Sequence, residues 1–361
     1  MRKFLSLALV LTMLSGCASP SAEDPYEAAD EVAPVATESP TAVQAEEEEV
    51  VELDVASIEM TLDSYESSFV GSKSQALVTA YLSKQTGKNE IEIRNGANVT
   101  QSESALQVSR MQDSLVFWSA SYSRKVTVIL YTGEDASWAS EQLSAAGYQN
   151  SSLLERLGPY GVCMQSLAYP SADYFAHCIR PTSSGVREST IAAHEYAHLP
   201  LMTSYNKQGI LSPTAVPTWA NEGGAEFFAV ALTSEGGGIG AKYFYQLHLS
   251  QLSSSKIAPN AGFNDSIRST LATISSEEVV AMMRDLETRS ASSDSAPYSL
   301  GMWATELLVA VYGVDAYIAY LDAMSPQSHW KVSFESTFGV SVDTFYEKLT
   351  PYFHWVAKTY G

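Results

Sequence analysis

His194-Glu195-Tyr196-Ala197-His198, with Glu222 24 residues further on, are the residues of this chain best suited to chemistry. On an α-helix, positions four apart share a face, so the imidazoles of His194 and His198 can reach one metal ion. Glu195 sits beside that face, within reach of a water on the metal. Glu222 lies in Trp219-Ala220-Asn221-Glu222-Gly223 and adds a carboxylate. Two His and one Glu, with the fourth position left to water, form the donor set of a catalytic Zn2+ site. Such an ion lowers the pKa of a bound water to about 7 and polarises a carbonyl. Glu195 can take the proton of that water and return it to a leaving amine. The pattern points to zinc-assisted hydrolysis of peptide bonds.

These side chains need two helices to carry them. The first is expected over 186–199, with Pro200 after its end. Pro217 opens the second, which runs to about Leu232 and stops before Gly236-Gly237-Gly238. Glu226 lies one turn beyond Glu222 on the same face. A metal-bound His donates its other N–H to a carboxylate or carbonyl, so Glu226 is the candidate partner of His194 or His198. Upstream, the β-branched run 126–131 reads as a buried strand. Segments 161–169 and 174–180 read as two more strands around a turn at Pro170. The 174–180 strand is either a sheet edge open to an extended peptide or an interior strand. Helices are expected over 74–85 and over 134–146, the latter stopped by Gly147. After the metal motif the pattern is helical, over 240–253, 277–288, 298–312, 314–324 and 342–357.

The HEYAH and W-A-N-E-G-G-A-E segments resemble the gluzincin zinc metallopeptidases. The likeness is greatest to the M1-type and collagenase-like members and to the peptidase MA-like bacterial domains. It covers about 125–230 well and 298–324 more loosely. The resemblance implies His194, His198 and Glu222 as the metal ligands and Glu195 as the general base. It also implies that Tyr298 donates to the developing oxyanion. The implied fold is α+β and thermolysin-like. A small mixed β-sheet would form an upper lobe over 67–199, ending in the H-E-x-x-H helix, and a mainly helical lower lobe would span 200–361. The Gly-x-Met-Glu-Asn motif of the aminopeptidase members is missing, so the expectation is an endopeptidase acting on peptide or protein substrates.

Charge sets further bounds. The formal net charge is -20, but residues 18–66 hold fifteen acids and no Lys or Arg. From residue 67 the balance is 26 acids against 19 bases, only mildly acidic. No basic patch suggests nucleic acid. The segment 18–66 is rich in Ala, Glu, Pro, Ser and Thr and reads as a disordered acidic linker. Before it, Arg2 and Lys3 precede an apolar run ending in Leu14-Ser15-Gly16-Cys17. This resembles a lipoprotein signal peptide over 1–17, with Cys17 lipidated. A lipid anchor would hold the protein on the extracytoplasmic face of a bacterial envelope, at the outer membrane where there are two. Cys163 and Cys178 can form a disulfide in that oxidising compartment. The other reading of the whole is a catalytically inactive peptidase-fold lipoprotein that binds peptides or cell-envelope material. Metal buffering is disfavoured, since the chain has only six His. His177, His248, His329 and His354 lie in no ligand pattern and read as structural or surface residues.

Overall fold

A computed structural model describes residues 54–148, 167–169, 173–179, 186–202, 216–233, 239–257, 266–289, 295–324 and 329–361. In chain order these form α1 (Ser67–Ser83), β1 (Ile91–Asn95), α2 (Gln101–Arg110), α3 (Gln112–Phe117), β2 (Val126–Tyr131) and α4 (Ala136–Ala145). There follow β3 (Leu167–Tyr169), β4 (Tyr174–Cys178), α5 (Val186–Leu201), α6 (Thr218–Leu232), α7 (Ile239–Gln251), α8 (Ser254–Ile257) and α9 (Ile267–Thr273). The chain ends with α10 (Ser276–Asp285), α11 (Ala296–Ala323), α12 (Trp330–Phe338), α13 (Val342–Lys348) and α14 (Thr350–Tyr360). The fold is broadly α+β, mostly helical, with one small sheet among the described residues.

The sheet has the order β1-β2-β4-β3, with β1, β2 and β4 parallel and β3 antiparallel. β2 is buried along its whole length. Its side chains alternate between two cores. Val126, Val128 and Leu130 face the main core, while Ile129 and Tyr131 face a smaller one completed by α4. A central strand covered on both faces reads as a continuous apolar run, which is why the sequence announces it. β4 pairs on both sides, so of the two readings of 174–180 the interior strand holds and the peptide edge is corrected; among the described residues β1 and β3 are the edges. α5 lies on the main-core face, where Tyr196 meets Phe175 of β4 edge-on. Asn89 fixes the Tyr196 hydroxyl at 2.6 Å.

α11 is the axis of the helical part and packs on α6, α1 and α7. By length and composition it is the one described helix able to cross a membrane, with mean hydropathy 1.3, but 61% of its apolar window is buried in the fold. Gly313 interrupts it with φ 84°, a backbone state that glycine adopts without strain. That break matches the two helices expected on either side of residue 313. The single helix expected over 342–357 is likewise divided, into α13 and α14, with Pro351 in the first turn of the second.

Two boundaries drawn from composition shift. Residues from Asp54 are packed rather than part of the linker. Met60 and Leu62 are buried while Glu59, Thr61 and Asp63 point out, an alternation hidden by acidic neighbours. Tyr65 then donates to the Lys348 carbonyl at 2.5 Å. α1, placed in the first lobe by chain order, packs along α11 of the second half. It also starts at Ser67 rather than 74, because Gly71 interrupts the helical pattern where the backbone must pass close to Tyr245 and Glu306. The part of the expected linker before residue 54, the expected signal peptide with Cys17, and Cys163 lie outside the described residues. Cys178 is disulfide-bonded.

Candidate metal centre

α5 and α6 bring the predicted donors together. α5 runs from Val186 to Leu201, two residues beyond expectation. Pro200 lacks an N–H, yet the last turn still closes through Met202 N–H to the His198 carbonyl at 3.1 Å. The start of α6 is anchored from outside. The N–H groups of Thr218 and Trp219 donate to the carbonyls of Glu287 and Leu286, and the Trp219 indole donates to Tyr346 Oη at 2.7 Å. These bonds satisfy donors that every helix start leaves open, and they fix Glu222 one turn later.

His194 Nε2 lies 3.1 Å from His198 Nε2. Glu222 Oε2 is 3.6 Å from His194 Nε2 and 3.4 Å from His198 Nε2. All three residues are buried, and among the described residues they are the one group of His, Cys, Asp and Glu placed to hold a metal ion. A tetrahedral ion with bonds of about 2.0–2.1 Å has edges of about 3.3 Å. The three observed separations bracket that edge, so the donors fit one face of such a tetrahedron. The charge balance agrees. Burial would raise the Glu222 carboxyl, but the charge of His198 and hydrogen bonds from both imidazoles hold it well below the usual carboxylate range. A buried carboxylate needs a compensating cation or donors, and a metal ion would supply the first.

The outer nitrogens of both imidazoles are engaged. His194 Nδ1 lies 2.9 Å from Glu226 Oε2, so Glu226 is the partner of His194, as proposed for one of the two imidazoles. His198 Nδ1 lies 3.2 Å from Asn221 Oδ1, and Asn221 Nδ2 donates to Glu222 Oε1 at 3.2 Å. Asn221 thus braces two ligands at once. The signal for it in the sequence is its place directly before Glu222, with an amide that can both donate and accept. Burial would also raise Glu226, yet hydrogen bonds and charge from His194 and His248 keep its carboxyl well below the ordinary range.

Glu195 is 2% exposed. Burial raises the Tyr131 phenol, at the end of β2, and the charge of Glu195 raises it further. Tyr298, in the first turn of α11, stacks on His194 with ring centroids 5.8 Å apart and planes at 29°. The structure therefore brings Tyr298 to the predicted ligands.

The remaining His are not ligands. His354 Nε2 meets the Ile274 carbonyl, and His329 caps α12. His248 is the structural kind of residue expected, a buried side chain against Glu226. Compared with protein-family models, curated proteins and solved structures, the chain shows no match.

Proposed function

We propose that this protein is a zinc-dependent endopeptidase of the gluzincin type, with a thermolysin-like arrangement, anchored outside the cytoplasm through lipid on Cys17. The observation that carries this reading is the buried His194–His198–Glu222 face, with edges of 3.1–3.6 Å, two of whose donors lie on the helix that also presents Glu195. Zinc suits two imidazoles and one carboxylate in a tetrahedral site, and the single open position suits catalysis. When bound, it supplies Lewis acidity to the scissile carbonyl and to the attacking water.

The chain's own residues do the rest. Glu226 and Asn221 lie against the outer nitrogens of the imidazoles, so that with a metal bound the protons would sit on Nδ1 and both Nε2 atoms would serve as donors to the ion. Glu195 accepts the proton of the attacking water and delivers it to the leaving amine, so one carboxyl serves as base and then as acid. The Tyr298 hydroxyl, carried beside His194, donates to the carbonyl oxygen as negative charge develops. The substrate class is a peptide or protein segment outside the cell.

The test is zinc content and peptide hydrolysis in the wild type and in Glu195→Gln. The variant is expected to keep one zinc per chain and to lose about 10²–10⁴-fold in rate. Equal hydrolysis by both proteins removes Glu195 from the mechanism. A wild type that holds zinc but cleaves no peptide in a broad library supports the binding-only reading instead.

A further inference from the structure

We infer that His248 is a positioning residue of the metal centre that acts through Glu226, an inference that rests on the zinc reading above. His248 comes from α7, which contributes no ligand, and it is 1% exposed. Its Nε2 lies 3.3 Å from Glu226 Oε1, and its Nδ1 lies 3.0 Å from Ser299 Oγ. The other Glu226 oxygen, Oε2, lies 2.9 Å from His194 Nδ1. His194, Glu226, His248 and Ser299 therefore form a chain through α5, α6, α7 and α11. Ser299 follows Tyr298, whose ring stacks on His194, so the chain returns to its starting point.

The arrangement has a direct physical use. A carboxylate gripped at one oxygen swings about its last torsion, and the imidazole it holds swings with it. His248 grips the second oxygen, which fixes the carboxylate plane and hence the direction of His194 Nε2. Ser299 in turn fixes the His248 ring. Ser299 Oγ lies against both Nδ1 and, at 3.4 Å, the backbone carbonyl of His248, and with Nε2–H toward Glu226 the nearer Nδ1 is the acceptor of the serine hydroxyl. All these groups are buried, so no water competes for the contacts. The same residues do not make a serine nucleophile. Ser299 is 0% exposed and meets the imidazole nitrogen opposite to the one a catalytic triad would use.

The test uses the full-length protein and zinc alone, with the dissociation constant measured by competition against a chromophoric chelator. His248→Phe keeps the ring volume and removes both nitrogens. It is expected to weaken zinc binding roughly 10–100-fold. His248→Gln retains a donor toward Glu226 and is expected to restore most of that loss. A purely structural His248 would lower the melting temperature of the zinc-free protein in both variants and leave the zinc constant alone. A folded His248→Phe variant within twofold of wild type therefore overturns the inference. Should that variant fail to fold, Ser299→Ala decides, since it deletes one hydroxyl. A zinc constant at least about threefold weaker supports the chain, and an unchanged one overturns it. A wild type that binds no zinc ends both readings, whereas normal zinc binding in every variant ends this one alone.

Discussion

Gly223 of α6 and Gly301 of α11 meet backbone to backbone. A methyl group added at Gly223 would overlap the Gly301 carbonyl carbon, and one added at Gly301 would overlap the Trp219 carbonyl oxygen. Side chains at this crossing would push the helices apart. The crossing sits one residue from Glu222 and one turn from Tyr298, so it sets the distance between the ligand face and the phenol. Gly301→Ala should therefore destabilise the protein although alanine favours helices by about 1 kcal/mol. The expected net cost is roughly 1–3 kcal/mol, seen as a lower urea midpoint with an unchanged slope. Stability equal to wild type would mean that the helices are not held at this spacing.

Asn221 offers a second, independent handle on the ligands. It accepts at Oδ1 opposite His198 Nδ1 and donates from Nδ2 to Glu222 Oε1. Asn221→Ala removes both contacts with little change in bulk at the start of α6. Zinc affinity is expected to fall roughly 10–100-fold. Asn221→Asp keeps the acceptor for His198 but sets a second carboxylate against Glu222. It should lose affinity too, and more steeply at low ionic strength. An affinity unchanged in both variants would show that the ligands hold their geometry unaided.

The ligand set was legible because a helix translates spacing into direction: His194 and His198 four apart, Glu222 and Glu226 four apart, each pair on one face. β2 was legible because a strand buried on both faces has no polar positions to blur it. Other elements were hidden by their own chemistry. Thr100 closes a capping box with Glu103 and starts α2, a helix whose run of Ser and Gln gives it little apolar periodicity. β1, Ile-Glu-Ile-Arg-Asn, is polar at every second position, so its apolar signal is two residues. His248 was beyond reach for a different reason. It is 22 residues from Glu226 in sequence, and only the packing of α7 against α6 makes the two neighbours. Long-range partners of a ligand carry no spacing rule.

Tyr298 stacks on His194 through its ring, so a substitution can remove its hydroxyl and leave that packing in place. Tyr298→Phe retains the ring and deletes one donor. If that hydroxyl stabilises the oxyanion, kcat falls about 10²–10³-fold while KM and zinc affinity stay near wild type. A rise in KM with kcat unchanged would instead make Tyr298 a substrate-binding residue. The comparison requires steady-state kinetics on one defined peptide.

Glu306 should give the helical half a distinct pH response. It is buried on α11 and receives hydrogen bonds from Tyr245 of α7 at 2.5 Å and Tyr352 of α14 at 2.6 Å, with Ser74 of α1 at 3.4 Å. Burial raises its pKa above the ordinary 4.5, and the two phenols and Ser74 recover only part of that. A raised carboxyl binds its proton more tightly folded than unfolded. Its contribution to stability is therefore complete below about pH 4.5 and is lost as pH climbs through the folded-state value. Glu306→Gln cannot ionise and escapes that loss. Urea unfolding of both proteins from pH 4 upward should show the variant gaining on wild type, at no more than about 1.4 kcal/mol per pH unit, until Glu306 is fully ionised. Taking the difference at each pH cancels every other titrating group, including the histidines of the metal centre. A difference that is flat with pH would mean that Tyr245, Tyr352 and Ser74 fully offset the burial of the charge.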